Sequence, residues 1–181
     1  MKINSIRFRR AALGLLLMAG SVMFGQTGTL KVKATTGRAG VFVDDKYVGP
    51  AANFGITRSY TVNAGEHTIT LREPRYEVAT AHVTVVAGKT AVVKVDMKAL
   101  PEPKGPFGRL RTVGGEKYWA VYVNGAYMGH VDEFDNFAQG LLLPPGEYAL
   151  KVVPANGAAV IDQKIVLKAN ETLVVKVPGK A

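Results

Sequence analysis

The most informative segment of this sequence is VYVNGAYMG at residues 121–129. Apolar and aromatic residues alternate with small or polar ones on both sides of Asn124-Gly125, which is the pattern of two short strands. Asn-Gly between such strands is typical of a type I′ turn, in which both central residues have positive φ. The related stretch VFVDDKYVG occupies residues 41–49 and places Asp44-Asp45 at the turn. The sequence therefore predicts the same β-hairpin twice.

Three further pairs of blocks recur in the same order along the chain. They are GTLKV and GRLRT (28–32 and 108–112), AGEHTITL and PGEYALKV (64–71 and 145–152), and AGKTAVVKV and ANETLVVKV (87–95 and 169–177). The offset between the copies stays between 80 and 82 residues, which indicates a tandem duplication.

The duplication defines the expected domains. The first unit covers residues 26–98 and the second covers residues 108–178. The linker 99–107 lies in KALPEPKGPF, whose prolines favour an extended, semi-rigid chain. We expect the two units to fold separately and to pack loosely, if at all.

The fold class follows from a period of two inside each unit. Short β-branched runs are separated by turn residues about every ten positions, and sustained helical periodicity is missing after residue 25. We predict an all-β protein with two small antiparallel β-sandwich domains in tandem. The alternation also predicts which side chains form the cores and which point away from them. The predicted core residues are Ala39, Val41, Val43, Trp119, Val121 and Val123, whereas Phe42 and Tyr122 point away.

Residues 1–25 have the pattern of a secretory signal peptide. A basic start is followed by an apolar run and then by small residues. The apolar stretch from 11 to 25 has 15 residues, against about 20 needed to span a bilayer. We therefore expect a periplasmic or secreted protein with no stable membrane span after signal removal, and an uncleaved anchor is the alternative.

The charge of the chain is partly that of the signal. The 181 residues carry a net charge of +9, and four of the 23 basic residues lie in the first 25 positions. Most of the remaining charge lies in the first unit, where Arg38, Arg58, Arg72 and Arg75 are candidates for contact with an anionic wall polymer or lipid. A solvated basic surface is the alternative. Basic residues alternate with acidic ones, so nucleic acid is not an expected partner.

The sequence offers little catalytic chemistry. The absence of cysteine excludes disulfides, thiol nucleophiles and cysteine-based zinc sites. Gly88-Lys89-Thr90 lacks the other features of a phosphate-binding loop and is interpreted as a turn entering a strand. His130 precedes an acidic cluster that could hold Ca²⁺, with a solvated loop as the default. The cluster consists of Asp132, Glu133, Asp135 and Asn136. We expect no enzymatic activity, no metal and no cofactor.

The repeated blocks resemble the PEGA domain, a small β-sandwich module of exported bacterial and archaeal proteins. The resemblance rests on VYVNG…G at 121–129, LLPPGEYALKV at 142–152 and VLKANETLVVKV at 166–177, and on their copies in the first unit. A generic immunoglobulin-like or transthyretin-like sandwich is the alternative. The resemblance implies a non-catalytic extracytoplasmic module that binds carbohydrate or supports protein contacts.

Aromatic residues are the best candidates for a binding site. Tyr118, Tyr122, Tyr127 and Phe134 crowd one stretch of the second unit. Exposed aromatic faces give sugars and protein partners a large contact area at low entropic cost. Ordinary core packing is the alternative. The sequence thus predicts a binding or scaffolding module of the bacterial cell envelope that contacts carbohydrate or another envelope polymer. Protein–protein assembly within an envelope complex is the second hypothesis.

Overall fold

A computed structural model describes residues 26–54, 59–136 and 138–179. The predicted signal peptide, residues 1–25, lies outside these ranges. Within them the protein is built almost entirely of β-strands, so the prediction of an all-β protein with two tandem β-sandwiches is confirmed.

The first unit contains seven strands and one short 3₁₀ helix. The strands are β1 (Thr27–Ala34), β2 (Gly40–Val43), β3 (Lys46–Pro50), β4 (Tyr60–Asn63), β5 (Gly65–Arg72), β6 (Ala79–Val85) and β7 (Thr90–Val95), and the 3₁₀ helix spans Ala51–Phe54. They form a three-stranded sheet in the order β4-β1-β7 and a four-stranded sheet in the order β3-β2-β5-β6. The two sheets pack against each other around one apolar core.

The second unit repeats this arrangement. Its strands are β8 (Gly108–Gly114), β9 (Ala120–Val123), β10 (Ala126–His130), β11 (Leu141–Leu143), β12 (Gly146–Val153), β13 (Ile161–Leu167) and β14 (Thr172–Val177), with a 3₁₀ helix at Val131–Glu133. The sheets have the orders β11-β8-β14 and β10-β9-β12-β13, which are those of the first unit. The repeat seen in the sequence is therefore a repeat of topology.

One ladder in each unit is parallel, in contrast to the antiparallel sandwich that we predicted. β1 pairs with β7 in parallel, and β8 pairs with β14 in the same way. Parallel neighbours need a long crossover connection. Here the rest of each unit supplies it, because the paired strands are the first and the last of the unit.

The alternation of side chains agrees with the prediction. The six predicted core residues are all buried, and Trp119 retains only 7% of its surface. The backbone of both hairpins also agrees, since φ is 49° and 63° at Asp44 and Asp45 and 49° and 78° at Asn124 and Gly125. Positive φ at both central positions is what a type I′ turn requires.

The hairpins share a further irregularity. The register of β2 with β3 skips Val48, and the register of β9 with β10 skips Met128. The glycine after each skipped residue has a φ of 134° (Gly49) or 144° (Gly129), a conformation that glycine adopts at little cost. The duplication thus preserves even the position of the bulge.

The two units contact each other, so the expectation of loose packing is wrong. Phe42 and Tyr47 of the first unit form a buried cluster with Ala120 and Tyr127 of the second, and each keeps 6% or less of its surface exposed. Phe42 and Tyr127 meet edge to face with their ring centroids 5.6 Å apart. These side chains point away from their own cores, and burying such large apolar surfaces against the other unit is favourable.

The first unit extends slightly beyond its predicted end at residue 98. The Glu77 amide donates to the Lys98 carbonyl, and the Leu100 amide donates to the Arg75 carbonyl. The chain is therefore held to the first unit as far as Leu100, and the segment between the two units is correspondingly shorter.

Candidate binding cleft between the two units

A cleft of about 350 Å³ lies where the four-stranded sheets of the two units meet. We call it the inter-unit cleft. It is lined by Lys46 and Tyr47 of the first unit, and by Tyr122 and residues 153–157 of the second. Ligand pockets in proteins commonly start at about 300 Å³, so a small ligand or part of a polymer fits a space of this size.

Strand alternation positions the aromatic wall of the inter-unit cleft. Tyr122 lies on β9 between Val121 and Val123, which point into the core, so its ring points out of the second unit. The ring is half-buried and packs edge to face on Tyr127, with the centroids 5.9 Å apart. This burial raises the pKa of the Tyr122 hydroxyl, so the hydroxyl is neutral at neutral pH.

The opposite wall comes from the start of β3. Tyr47 is buried, and its hydroxyl donates a 3.2 Å hydrogen bond to the Tyr118 carbonyl oxygen across the unit boundary. Burial raises the pKa of Tyr47, which keeps this donor protonated. The side chains of Lys46 and Asn156 are exposed at the cleft and add a cation and an amide. The cleft therefore combines aromatic rings with a few polar groups.

The structure separates the four predicted site residues. Tyr122 lines the cleft, whereas Tyr118 is not among the lining residues and is half-buried, with its ring 5.6 Å from that of His130. Tyr127 and Phe134 are only 5% exposed, so the expectation that they offer an exposed aromatic face is wrong. Tyr127 is covered by the first unit, and Phe134 fills the core of the second, as the alternative of ordinary packing proposed.

The four predicted site residues all lie in the second unit, so that prediction left out the first unit's share of the cleft, although Tyr47 belongs to the corresponding aromatic region of the first unit. Tyr47 is the counterpart of Tyr127 at the offset of 80 residues, so the repeat itself carried the signal. Nothing in the sequence marks Lys46 or Asn156 as a site residue, because exposed polar residues at strand ends and in loops are common on any surface.

A charged cluster lies beside the aromatic contact between the units. The Arg38 Nε lies 3.2 Å from a Glu133 carboxylate oxygen, and this ion pair crosses from the first unit to the second. The His130 ring contacts Asp132 through Nδ1 at 2.9 Å and Glu133 through Nε2 at 3.0 Å. Burial raises the pKa of Glu133 to about 7 and lowers that of His130.

The geometry of this cluster does not support the Ca²⁺ alternative. The Asp132 and Glu133 carboxylates contact opposite nitrogens of the His130 ring. Glu133 also pairs with Arg38, so these oxygens do not converge on one position for an ion that binds oxygen. Across residues 26–54, 59–136 and 138–179, the acidic and histidine side chains form no group suited to a metal ion. The cluster consists of polar contacts around His130 and one ion pair that crosses the unit boundary.

The arginines proposed to meet an anionic polymer are engaged within the protein. Arg38 pairs with Glu133, Arg72 lies 3.5 Å from Asp45 and 4.4 Å from the centre of the Phe42 ring, and Arg75 pairs with the buried Glu73 at 2.5 Å. Arg58 lies outside the described residues. Each of these three arginines has an acidic partner that offsets part of its charge. They are therefore poorer candidates for contact with an anionic polymer than the sequence suggested.

Comparison with known families identifies the first unit. The family model of the PEGA domain matches residues 27–100. The first unit is a PEGA domain. The match ends at the residue where the hydrogen bonds of the first unit end, and the second unit has the same strand order. PEGA domains occur in extracellular or periplasmic proteins.

Solved structures provide only distant likenesses. The chain is similar to the Bacillus anthracis TIE protein, with a TM-score of 0.30 and 16% identity over 84% of this chain and 34% of that one. It is similar to a streptococcal ancillary pilin, with a TM-score of 0.26 and 15% identity over 86% of this chain and 62% of that one. A leucine-rich repeat protein from Bacteroides thetaiotaomicron VPI-5482 has a TM-score of 0.24 and 16% identity over 84% of this chain and 26% of that one. The chain spans less than two thirds of the length of each of these proteins, and no curated protein matches it.

In residues 26–54, 59–136 and 138–179, no helix has the length and apolar character to cross a bilayer.

Proposed function

We propose that this protein is an exported, non-enzymatic binding module of the bacterial cell envelope, and that the inter-unit cleft binds a carbohydrate segment of an envelope polymer. The observation that carries the proposal is the half-buried ring of Tyr122, which lines a cleft of about 350 Å³ beside Lys46 and Asn156. An aromatic face supplies contact area to a sugar ring, and the two polar groups supply hydrogen bonds to its hydroxyls.

The location of the proposed site follows from the duplication. Each unit alone has a filled apolar core. Concave surfaces at the junction of two domains are common ligand sites, since they form without opening either core. Export is supported by the PEGA domain in the first unit and by the signal-like residues 1–25.

The test is retention of the purified chain by insoluble peptidoglycan. Tyr122→Ala should lower the apparent affinity about tenfold, which corresponds to about 1.4 kcal/mol of lost contact. Tyr148→Ala is the matched control, because Tyr148 is another half-buried tyrosine of the same unit and lies outside the cleft. Equal retention of Tyr122→Ala and the wild type, or equal losses in both variants, would contradict the cleft as the site.

The non-enzymatic part of the proposal has its own readout. The chain is incubated with the same peptidoglycan, and the soluble fragments released are quantified against a sample without protein. We expect no release above that background. Release of fragments that scales with protein concentration would show an enzyme.

A second candidate function is protein–protein assembly, which exposed valines on edge strands favour. Val166 on β13 is 59% exposed and Val174 on β14 is 47% exposed, and both strands lie at the edge of their sheets. Edge strands can pair with a strand from another chain. Light scattering over a range of concentrations tests this candidate, and a monomer that Val166→Lys leaves unchanged would rule out assembly through β13.

A further inference from the structure

Charge is distributed unequally between the two kinds of sheet. The strands of the three-stranded sheets, β1, β4, β7, β8, β11 and β14, contain six basic residues and no Asp or Glu. The four-stranded sheets carry residues of both signs, including Glu66, Glu147 and Asp162. The four-stranded sheets meet at the unit boundary, whereas the three-stranded sheets form the outer layers. The positive charge of the strands therefore accumulates on the outer layers.

One face of the first unit's three-stranded sheet points away from the core. We call it the lysine face, and it comprises the outward residues of β1, β4 and β7. These are Thr27, Thr29, Lys31, Lys33, Thr61, Asn63, Thr90, Val92 and Lys94. The residues between them, such as Leu30, Val32 and Val93, point into the core, which follows from strand alternation.

The lysines of this face are placed against one another. Lys33 and Lys94 lie directly opposite in the parallel ladder of β1 and β7, and Lys31 lies two residues before Lys33 on the same strand. Like charges in opposite positions destabilise a sheet. In the part of the chain that the structure describes, Lys31 and Lys33 form no ion pair. Lys94 lies 3.8 Å from Asp96, with both side chains more than 70% exposed, and such a pair contributes little.

Hydroxyl groups complete the lysine face. Thr61, Thr29 and Thr90 form one row across the three strands, and Asn63 lies opposite Thr27 in the next row. Ammonium groups and hydroxyls are both hydrogen-bond donors, so the face offers many donors and a positive field. Phosphate oxygens are acceptors with negative charge, and they complement both kinds of group.

We propose that the lysine face binds a linear, phosphate-bearing polymer. The donors spread over three strands that lie about 4.8 Å apart, so a chain of linked phosphates reaches more of them than a single ion does. The face carries no aromatic ring among its outward residues, which distinguishes it from the inter-unit cleft as a surface for neutral sugars. The proposal is independent of the one made for the cleft.

The second unit's outer sheet is less suited to this role. Arg111 and Lys176 occupy the positions of Lys31 and Lys94. The Arg111 side chain is only 18% exposed and donates to the Asp135 carbonyl oxygen. The two units thus differ in the accessibility of equivalent charges, and the first unit carries the proposal.

The experiment measures binding of long-chain inorganic polyphosphate to the purified chain at about 50 mM and about 300 mM salt, where screening differs strongly. The test variant is Lys31→Gln/Lys33→Gln/Lys94→Gln. The matched control is Lys151→Gln/Lys164→Gln/Lys168→Gln, which removes the same charge from the second unit's four-stranded sheet and the residue that follows it, outside both proposed sites. All these side chains have exposed or half-exposed positions, and thermal unfolding verifies that both variants fold.

At low salt we expect the test variant to lose about tenfold or more in affinity and the control to lose less than about threefold, with weaker binding of every protein at high salt. Equal losses in the two triple variants would mean that only net charge matters, and would overturn the proposal. Vesicles of phosphatidylglycerol and phosphatidylcholine distinguish lipid headgroups from polymer. If the test variant loses vesicle binding and keeps polyphosphate binding, the polymer proposal is wrong.

Tyr122→Ala should bind polyphosphate normally. A loss of binding at the inter-unit cleft and a loss of binding at the lysine face can therefore be distinguished.

Discussion

At the residue scale, His67 shows how local geometry determines a protonation state. Its Nδ1 lies 2.6 Å from the Asp44 carboxylate and its Nε2 lies 2.8 Å from the Asn63 carbonyl oxygen. Both partners are acceptors, so the contacts favour a ring with a proton on each nitrogen. The hydrogen bond to Asp44 raises the pKa of His67, and the same bond lowers that of Asp44.

The His67–Asp44 pair predicts a pH-dependent contribution to stability. A raised His67 pKa gives stabilisation that is complete below the unfolded value of about 6.5 and is lost as the pH rises through the folded pKa. A lowered Asp44 pKa gives stabilisation that is lost on acidification through that pKa. We expect His67→Gln to cost about 0.5–1 kcal/mol near pH 5.5 and less at pH 9, because the pair is partly exposed.

Chemical denaturation at the two pH values measures this difference. In the Asp44→Asn background, the effect of His67→Gln should depend much less on pH, because only the Asn63 carbonyl then favours the protonated ring. A cost that is equal at pH 5.5 and pH 9 in the wild-type background would show that packing, and not the ion pair, explains the contribution of His67.

A second residue-scale prediction concerns Gly129, at the bulge of β10. Its φ is 144°, and a Cβ built there lies 2.8 Å from the Phe134 ring. Gly129→Ala therefore combines an unfavourable backbone conformation with a collision in the core, and we expect a loss of about 2–3 kcal/mol in the free energy of unfolding. Gly125→Ala is the control, because a Cβ at Gly125 meets nothing within 4 Å. Similar losses in both variants would assign the cost to backbone conformation alone.

At the element scale, the two hairpins have the same turn conformation, but their turn residues differ in how well they suit it. Asn124-Gly125 and Asp44-Asp45 both adopt positive φ at the two central positions. The first residue of each turn forms the same hydrogen bond. Asn124 Oδ1 accepts from the Ala149 amide, and Asp44 Oδ1 accepts from the Thr68 amide. The difference between the turns is thus concentrated at the second position, where a left-handed conformation costs more for Asp than for Gly.

This comparison predicts that Asp45→Gly stabilises the protein. We expect a gain of about 0.5–1 kcal/mol, because glycine accepts the φ of 63° at that position more easily. The exposed contact of Asp45 with Arg72, at 3.5 Å, offsets little of this. The reverse change, Gly125→Asp, should destabilise by a similar amount in thermal unfolding. Destabilisation by Asp45→Gly would show that the Arg72 contact outweighs the turn.

At the scale of the whole molecule, the central feature is the aromatic contact that joins the two units. Phe42, Tyr47 and Tyr127 lie with their ring centroids 5.4–5.6 Å apart, and the Arg38–Glu133 ion pair lies in the same boundary. A Cβ built on Gly40 lies 2.5 Å from the Tyr127 ring. Glycine is therefore required at position 40 for this close approach, and we expect the contact to couple the unfolding of one unit to that of the other.

The contact predicts that a methyl group added at Gly40 collides with the Tyr127 ring, and that removal of this ring relieves the collision. Gly40→Ala should separate the units and divide one thermal transition into two, because the new methyl group displaces the Tyr127 ring. Tyr127→Ala should also weaken the contact, by about 2–4 kcal/mol. In the double variant the methyl group no longer meets a ring, so the two costs should be clearly less than additive. Strict additivity in calorimetry would contradict the direct contact.

Much of the architecture was predictable because it depends on local patterns. The alternation at Val41, Val43, Val121 and Val123 indicated strands and their buried faces, and the repeat indicated two units of one topology. The parallel pairing of β1 with β7 was not predictable, since strand alternation is the same in parallel and antiparallel ladders. Of the predicted site, Tyr122 reaches the cleft, whereas Tyr127 and Phe134 are buried.

The duplication, the all-β class, the cores and the turns could all be predicted from the amino-acid sequence, because each of these depends on neighbours within a few residues or on copies at a constant offset. The accessibility of the outward side chains could not, and it is known only from how the two units pack. Phe42 and Tyr127 are covered by the opposite unit, and Arg38 is paired across the boundary, whereas Lys31 and Lys33 face outward. Accessibility depends on what packs over a face, and that information is not contained in the period of any single strand.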